Sequence, residues 1–159
     1  MVTLRKITGE NLWEIVALKV GEGQRHFVAD NTRSLLEAYV AITNGGTALP
    51  IGIYAGDTPV GFLMISYGCG DWPDAPAIAH DNYSLWRFMI DEHYQRQGYG
   101  RAALAEALRF IRTLPCGPAA HCWLSYEPEN NVARKLYASF GFTETGDWDD
   151  NEVIAALPL

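Results

Sequence analysis

The stretch FMIDEHYQRQGYGRAA, residues 88–103, decides the fold, because an apolar run changes into a glycine-rich helix start within it. Residues 83–91 have apolar side chains at successive positions, as in a strand that is covered on both faces. Leu104, Leu108 and Ile111 recur at helical spacing and predict a helix over residues 98–113. A central strand therefore leads through a short polar loop into a helix, with glycines at the junction.

This junction predicts an anion-binding site. The first backbone N–H groups of a helix lack helical acceptors, and the helix dipole adds partial positive charge there. Gly98 and Gly100 let a ligand approach the backbone closely, while Arg96 and Arg101 add local charge. Because salt screens charges beyond about 8 Å, the net charge of −7 does not oppose a pyrophosphate group at this position.

Two other phosphate-binding motifs fit the junction poorly. Gly98-x-Gly100-x-x-Ala103 matches part of the dinucleotide-binding fingerprint, but residues 93–97 separate it from the strand. Residues 116–126 contain no acid that could bind a ribose. No Gly-Lys-Ser/Thr sequence follows the glycines, as a P-loop requires. A nicotinamide-dependent dehydrogenase is therefore disfavoured.

The apolar periodicity predicts the other elements around this junction. Strands are predicted at residues 2–7, 51–54, 60–67, 120–125, 142–145 and 152–157, and helices at 12–19, 30–42 and 130–140. The glycine-, proline- and acid-containing segment 68–82 is predicted as a loop. The order β-α-α-β-β-β-α-β-α-β-β predicts a mixed α/β sheet in a single domain over residues 1–159.

Composition and charge narrow the class of protein. A chain of 159 residues with 48% apolar residues suits one compact domain and excludes a disordered or fibrous chain. No apolar run approaches the roughly 20 residues of a membrane span, and the N-terminus has no secretory signal pattern. We therefore expect no membrane association and a cytoplasmic location.

The cysteines, histidines and charge balance exclude further classes. Three cysteines without a CxxC pair indicate neither a disulfide framework nor a zinc site, and the four histidines lack metal-ligand spacing. Lys and Arg number 12 against 19 acids, which argues against nucleic-acid binding. A small cationic or neutral substrate is expected, with no metal.

The residues at the junction resemble a known family. The sequence QRQGYG at residues 95–100 resembles the Q/R-x-x-G-x-G/A acetyl-CoA signature of the GNAT N-acetyltransferases, and NNVARKLYASFGF at residues 130–142 resembles their penultimate helix and next strand. The resemblance implies a GNAT-like, mostly antiparallel sheet flanked by helices. It also implies acetyl-CoA as cosubstrate and direct transfer of the acetyl group to an amine.

The resemblance also implies roles for individual residues. The backbone of Phe88, Met89 and Ile90 would pair with the pantetheine amides, residues 96–101 would hold the pyrophosphate, and Tyr137 would act as general acid near the thioester sulfur. Asn130 would contact the cofactor while also capping its helix. The complete cofactor-binding set is Phe88, Met89, Ile90, Gln95, Arg96, Gln97, Gly98, Tyr99, Gly100, Arg101 and Asn130.

The acceptor and the general base stay open at this point. Residues 87–95, RFMIDEHYQ, are similar to bacterial spermine/spermidine (diamine) acetyltransferases, which favours a polyamine. A protein N-terminus, an amino acid, an amino sugar, or a sensor that binds acyl-CoA without turnover are the alternatives. Family members are often dimers, so the resemblance also implies a homodimer.

Acidic residues supply candidates for both missing roles. The resemblance to polyamine acetyltransferases implies a carboxylate base on the central strand, but the corresponding residues here are Leu85, Trp86 and Arg87. Asp91, Glu92 and Glu127 remain possible bases. The candidate ligands for a polyamine, which could equally be solvated turn residues, are Asp71, Asp74, Asp81, Asp147, Asp149 and Asp150 with Trp72 and Trp148.

Overall fold

The apolar periodicity produces seven strands and four helices in the computed structural model, which describes residues 1–159. They are β1 (Val2–Lys6), α1 (Leu12–Ala17), α2 (Asn31–Thr43), β2 (Thr47–Ala55), β3 (Thr58–Tyr67), β4 (Tyr83–Ile90), α3 (Tyr99–Ile111), β5 (His121–Tyr126), α4 (Asn131–Ser139), β6 (Thr143–Asp149) and β7 (Glu152–Pro158). The predicted mixed, mostly antiparallel α/β sheet flanked by helices is confirmed. No helix has the length and apolar character needed to cross a membrane.

Two strands are clearly longer than the sequence predicts. β6 extends over Thr143–Asp149 rather than residues 142–145, because its pairing with β7 continues to Asp149. β2 begins at Thr47 rather than at Ile51, and Thr47 pairs with Tyr67 of β3. The sequence did not predict this extension because Pro50 lies within it, and a proline cannot donate a ladder hydrogen bond. β1 pairs with β2 only from Ile51 onward, so Pro50 lies where the second edge of β2 has no partner and needs no N–H donor.

The sheet divides between its fourth and fifth strands. The strand order is β1-β2-β3-β4-β5-β7-β6, and only β4 and β5 are parallel. Their pairing is limited to Tyr83 with Cys122 and Ser84 with Trp123. The side-chain Oδ1 of Asn82 accepts hydrogen bonds from the N–H groups of Ala120 and His121 at 3.1 and 2.8 Å, which holds the two strands together at their beginnings.

A β-bulge bends β4 where it leaves β5. Met64 of β3 pairs with Arg87 and Ile65 pairs with Leu85, so Trp86 is an extra residue in β4. A bulge of this kind bends its strand and increases the local twist. β4 therefore remains paired with β3 while it diverges from β5, and the sheet opens into a V.

The helices cover opposite faces of the sheet. Leu104, Leu108 and Ile111 of α3 are buried in the larger apolar cluster, which also contains Tyr137 of α4. Ile15 of α1 is buried in a second cluster on the other face. Burial of this apolar surface, at roughly 25 cal/mol per Å², fixes both layers against the strands.

Gly61 allows β3 and β4 to approach closely. It pairs with Ile90 at the far end of β4, and a Cβ atom at this position would overlap the Met89 carbonyl oxygen. Because the overlapping atom belongs to the backbone, no change of side-chain rotamer can relieve the clash. A larger residue at position 61 must therefore push the two strands apart.

We expect Gly61→Ala to lower the free energy of unfolding by about 1–3 kcal/mol, the range for overpacked sites. Gly9→Ala is the matched control, because a Cβ at Gly9 meets nothing within 4 Å, and its effect should stay within about 0.5 kcal/mol. Urea denaturation of both variants measures the difference. Equal stability of the two variants would contradict the close approach.

Candidate active site

A cleft of about 1270 Å³ occupies the opening between β4 and β5. Its walls come from β4, from the loop before α3, from β5 and α4, and from the first half of the chain around α2. The cleft follows directly from the early end of the parallel pairing, because no strand fills the space between the diverging strands. Its volume lies above the roughly 300–1,000 Å³ of a typical small-molecule pocket.

The β4 side of the cleft presents an unpaired strand edge. Phe88, Met89 and Ile90 line the cleft, and β4 has no partner on its β5 side after Ser84. Backbone N–H and C=O groups need hydrogen-bond partners when water is displaced. An extended ligand that carries amide groups can provide them by adding to the strand edge.

The start of α3 presents free N–H groups at the far end of the cleft. Gly98 caps the helix with φ 84°, a left-handed conformation that favours glycine. The N–H of Ala102 makes the first helical bond, to the Gly98 carbonyl, so the N–H groups of Tyr99, Gly100 and Arg101 have no backbone acceptor. Arg96 is also left-handed, with φ 62°. The geometry can hold an anion.

The side chains of this loop are distributed unequally. Of the sequence-predicted cofactor set, the cleft is lined by Phe88, Met89, Ile90, Gln95, Arg96, Gly100 and Asn130, and not by Gln97, Gly98, Tyr99 or Arg101. Arg101 instead donates to Ser139 Oγ at 3.0 Å, and Gln97 donates to the His93 carbonyl at 3.2 Å. Any contribution of these residues to an anion site comes from the backbone.

Two cleft residues have local structural roles as well. The Gln95 amide donates to the carbonyl of Ile90 at 3.0 Å and to Gln24 Oε1 at 2.8 Å, which fixes the loop against the end of β4. Asn130 caps α4 by accepting a hydrogen bond from the Ala133 N–H at 3.3 Å. The capping role expected from the sequence is therefore present.

Tyr137 lies on α4 and faces the cleft from the side of the larger apolar cluster. Its side chain is enclosed by aromatic rings, with centroids 5.8 Å away for both Tyr126 and Phe142 and 6.5 Å away for Phe88. Burial, reinforced by Cys122, Glu152 and Tyr126, raises the pKa of Tyr137 well above its usual value. The phenol therefore stays protonated and can donate a hydrogen bond into the cleft.

A partly buried ion pair joins β4 to α2 along one wall of the cleft. The Arg87 Nη2 of β4 donates to Glu37 Oε2 of α2 at 2.5 Å, and the other Glu37 oxygen accepts from Arg33 at 2.8 Å. Burial lowers the pKa of Arg87, although Glu37 opposes that shift. Arg87 Nε is buried without a partner. Arg33 and Arg87 thus share the single carboxylate of Glu37, which balances one of their two positive charges.

Only part of the predicted acidic set reaches the cleft. Asp71 and Trp72 line it from the loop after β3, and Asp149 and Asp150 line it from the β6–β7 turn. Asp74, Asp81, Asp147 and Trp148 do not line it. The split of the sheet brings the two segments to one cleft, although they are far apart in the sequence.

The sequence did not indicate Glu152, which the structure adds to this group. Glu152 lines the cleft and accepts a hydrogen bond from Ser125 Oγ at 2.5 Å. Burial raises its pKa, as do Asp149 and Glu127, while the Ser125 hydrogen bond and Arg87 lower it. Only the pairing of β5 with β7 brings Ser125 and Glu152 together, and no local motif reports that pairing.

None of the three sequence-predicted base candidates lines the cleft. Asp91 is 4% exposed, and its carboxylate accepts hydrogen bonds from the N–H groups of Lys19 and His93 at 2.9 and 3.0 Å. Burial opposes ionisation, but these hydrogen bonds hold the pKa of Asp91 below its usual value. Asp91 ties the N-terminal segment to the end of β4, which is a structural task.

Comparison with known proteins identifies relatives. The model of the Acetyltransferase (GNAT) family matches residues 11–142. The spermine/spermidine N(1)-acetyltransferase of Bacillus subtilis strain 168 is 29% identical over 154 residues, covering 94% of this chain and 93% of the relative. The ribosomal protein bS18-alanine N-acetyltransferase of Escherichia coli K12 is 35% identical over 91 residues, covering 52% and 60%.

A solved structure supports the fold assignment. The PaiA N-acetyltransferase of Thermoplasma acidophilum, crystallised in complex with coenzyme A, superposes with a TM-score of 0.66 at 19% identity. The match covers 100% of this chain and 99% of that protein. At this identity the similarity establishes the architecture.

We expect Asp91→Ala to lower the free energy of unfolding at pH 7 by about 1–3 kcal/mol, because the N–H groups of Lys19 and His93 lose their acceptor in part-buried hydrogen bonds. Since the folded pKa of Asp91 is depressed, its ionised form stabilises the fold above the unfolded value of about 3.9. The difference from wild type should therefore shrink as the pH falls through the lower folded pKa.

Denaturation curves between pH 2.5 and 7 measure this dependence. Asp57→Ala is the control, since Asp57 pairs with Arg5 while its side chain is fully exposed, and it should change stability little. A stability loss in Asp91→Ala that does not vary with pH would contradict the hydrogen-bond argument.

Proposed function

Because the chain belongs to the GNAT acetyltransferase family, we propose that it transfers the acetyl group of acetyl-CoA to a primary amine of a polyamine or diamine. The observation that carries this proposal is the cleft itself, in which the unpaired edge of β4 and the free N–H groups at the start of α3 face an acidic wall. The acidic wall consists of Asp71, Asp149, Asp150 and Glu152. One N-acetyltransferase domain spans residues 1–159 in this proposal.

The cofactor-binding half of the cleft suits acetyl-CoA. The pantetheine arm carries two amides, which match the unpaired edge of β4 at Phe88, Met89 and Ile90. The pyrophosphate accepts from the N–H groups of residues 96–101, helped by the dipole of α3. Gly100 leaves room for this approach, since its missing Cβ would reach only to Ile90 at 3.6 Å.

The reaction needs donors at two developing negative charges. The amine attacks the thioester carbonyl, and an unpaired backbone N–H of β4 stabilises the resulting oxyanion. Tyr137 donates toward the leaving sulfur. Burial raises the pKa of Tyr137, which disfavours full transfer of its proton to the sulfur. In place of the general-acid role that the family resemblance implies, we therefore propose that Tyr137 keeps its proton and donates a hydrogen bond as the sulfur's charge develops.

The charge distribution favours a polycationic acceptor. Arg33 and Arg87 are both paired with Glu37, whereas Asp149 and Asp150 have no salt-bridge partner. Asp71 and Trp72 contribute a further carboxylate and an aromatic surface to the same cleft. The spermine/spermidine acetyltransferase relative, matched over most of both chains, supports the same acceptor class.

A protein N-terminus is the second candidate acceptor. The observation in its favour is the 35% identity to the bS18-alanine N-acetyltransferase, which extends over about half of this chain. The two candidates differ in charge. After one amine of a polyamine enters the reaction, its other ammonium groups can bind the acidic wall. The N-terminus of a peptide is a single amine and brings no such additional groups.

Release of the CoA thiol from acetyl-CoA tests the proposal. The acceptors are spermidine, spermine, short diamines, a peptide that begins with alanine, single amino acids and an amino sugar, with a blank without acceptor. We expect kcat/KM to be highest for polyamines. Preference for the peptide would support the second candidate, and no release with any amine would contradict acetyl transfer.

We expect Tyr137→Phe to lower kcat by about 10²–10³-fold, because the leaving sulfur loses its donor. The affinity for acetyl-CoA should change only a few-fold, since the ring and its aromatic neighbours remain. Steady-state kinetics and calorimetric titration with CoA measure the two quantities. Tyr39→Phe on the exposed surface of α2 serves as control; a normal kcat in Tyr137→Phe would remove this residue from the mechanism.

We expect the double variant Asp149→Asn/Asp150→Asn to raise the KM for spermidine by about 3–10-fold, through lost attraction for its ammonium groups. The KM for acetyl-CoA should stay constant, since the cofactor half of the cleft is unchanged. The effect should weaken at high salt. An equal rise of KM for a neutral-tailed monoamine would show that charge recognition is not the cause.

A further inference from the structure

We propose that Glu152 accepts the proton of the attacking ammonium group and that Ser125 positions its carboxylate. This inference rests on the proposed acetyl transfer and supplies the base that the sequence left unassigned. It follows from the two faces of the sheet that meet in the cleft.

Glu152 and Tyr137 approach the cleft from opposite faces. Side chains alternate along a strand, and in β7 Val153 and Ala155 belong to the apolar cluster of Tyr137. Ile154 packs instead with Trp123 on the other face, and Glu152 shares its side. Both Glu152 and Tyr137 line the cleft, because the split between β4 and β5 connects the faces.

This arrangement matches the geometry of acyl transfer. The nucleophile adds to one face of the planar thioester carbonyl, and the sulfur then leaves from the tetrahedral intermediate, so the base beside the amine and the donor beside the sulfur must occupy different positions around the carbonyl carbon. A thioester held along β4 would present its sulfur to Tyr137 on the α4 face. Its carbonyl carbon would be open to an amine that arrives from the face of Trp123, Ser125 and Glu152.

The remaining carboxylates of the cleft are less suited to this task. Glu37 is occupied by Arg33 and Arg87, and Asp71 and Asp150 are exposed. Asp149 pairs in register with Glu152 across the β6–β7 hairpin, but no hydrogen bond fixes its side chain. Glu152 is the carboxylate that is both partly buried and held, by Ser125 at 2.5 Å.

The surroundings of Glu152 adjust its proton affinity. Burial raises the pKa of the Glu152 carboxyl, and the charges of Asp149 on β6 and Glu127 after β5 add to the rise. The hydrogen bond from Ser125 and the Arg87 guanidinium on β4 act against it. Glu152 in turn raises the pKa of Tyr137 on α4. A carboxylate whose pKa moves toward neutrality is a more effective base.

The proposed step balances in atoms and charge. The ammonium R–NH3⁺ gives one proton to Glu152 and becomes R–NH2, whose electron pair forms the N–C bond at the thioester carbonyl. Collapse of the tetrahedral intermediate breaks the C–S bond and gives the amide. The second proton of the nitrogen ends on the CoA sulfur, and Glu152 returns its proton to solvent.

The test compares Glu152→Gln with Glu127→Gln over pH 6–10, with spermidine and acetyl-CoA as substrates. Glu127 is the matched control, because it is an acid near Glu152 that does not line the cleft. We expect Glu152→Gln to lose at least about 10²-fold in kcat/KM near pH 7. The loss should shrink toward pH 10, where the amine is deprotonated without a base.

Glu127→Gln should retain the wild-type plateau, with its acid limb shifted slightly to lower pH. Ser125→Ala provides a second variant that removes only the positioning hydrogen bond. Since this bond lowers the pKa of Glu152, its loss should move the acid limb of kcat/KM to higher pH. Titration with CoA confirms that each variant still binds the cofactor.

Several outcomes would overturn the assignment. Wild-type kcat/KM in Glu152→Gln across the pH range would do so, as would a higher spermidine KM with unchanged kcat, which is the signature of a purely binding role. An unshifted acid limb in Ser125→Ala would remove the positioning role. A wild-type protein that acetylates no amine would instead overturn the proposed function itself, and this inference with it.

Discussion

The early end of the pairing between β4 and β5 is the constraint on which the site depends. The two parallel strands share only two register pairs, fixed at their beginnings by the Asn82 side chain. The extra residue Trp86 then bends β4 away. A fully paired sheet would satisfy the backbone of β4 internally and leave no cleft. The loss of strand pairing therefore leaves a strand edge that can bind a ligand, and it connects the two faces of the sheet.

The two halves of the cleft differ in charge and in the origin of their polar groups. At the start of α3 the donors are backbone N–H groups, whose positions are fixed by the fold and do not depend on side-chain rotamers. On the opposite wall Asp71, Asp149, Asp150 and Glu152 line the cleft, and Arg33 and Arg87 share the carboxylate of Glu37. The cleft thus offers backbone donors to an anionic cofactor and carboxylates to the proposed cationic acceptor, within a chain of net charge −7.

Local sequence patterns predicted most of the strands and helices. The strand and helix that flank residues 91–98 were predictable, because apolar runs and helical spacing depend on near neighbours in the chain. β2 was longer than predicted. Its strand can include Pro50 because β1 pairs with β2 only from Ile51 onward, and the sequence does not show where that pairing ends. The free N–H groups before Ala102 also follow from local sequence, as any helix start leaves such groups.

The sequence by itself determined the order of elements, the glycine-rich start of α3 and the family of the chain. The tertiary structure alone decided which carboxylates reach the cleft. Asp149 and Asp150 line it whereas Asp147, on the same strand, does not, and Glu152 joins them through its contact with Ser125. The physical reason is that cross-strand register and the split of the sheet connect residues far apart in the chain. Such contacts leave no periodic signal along it.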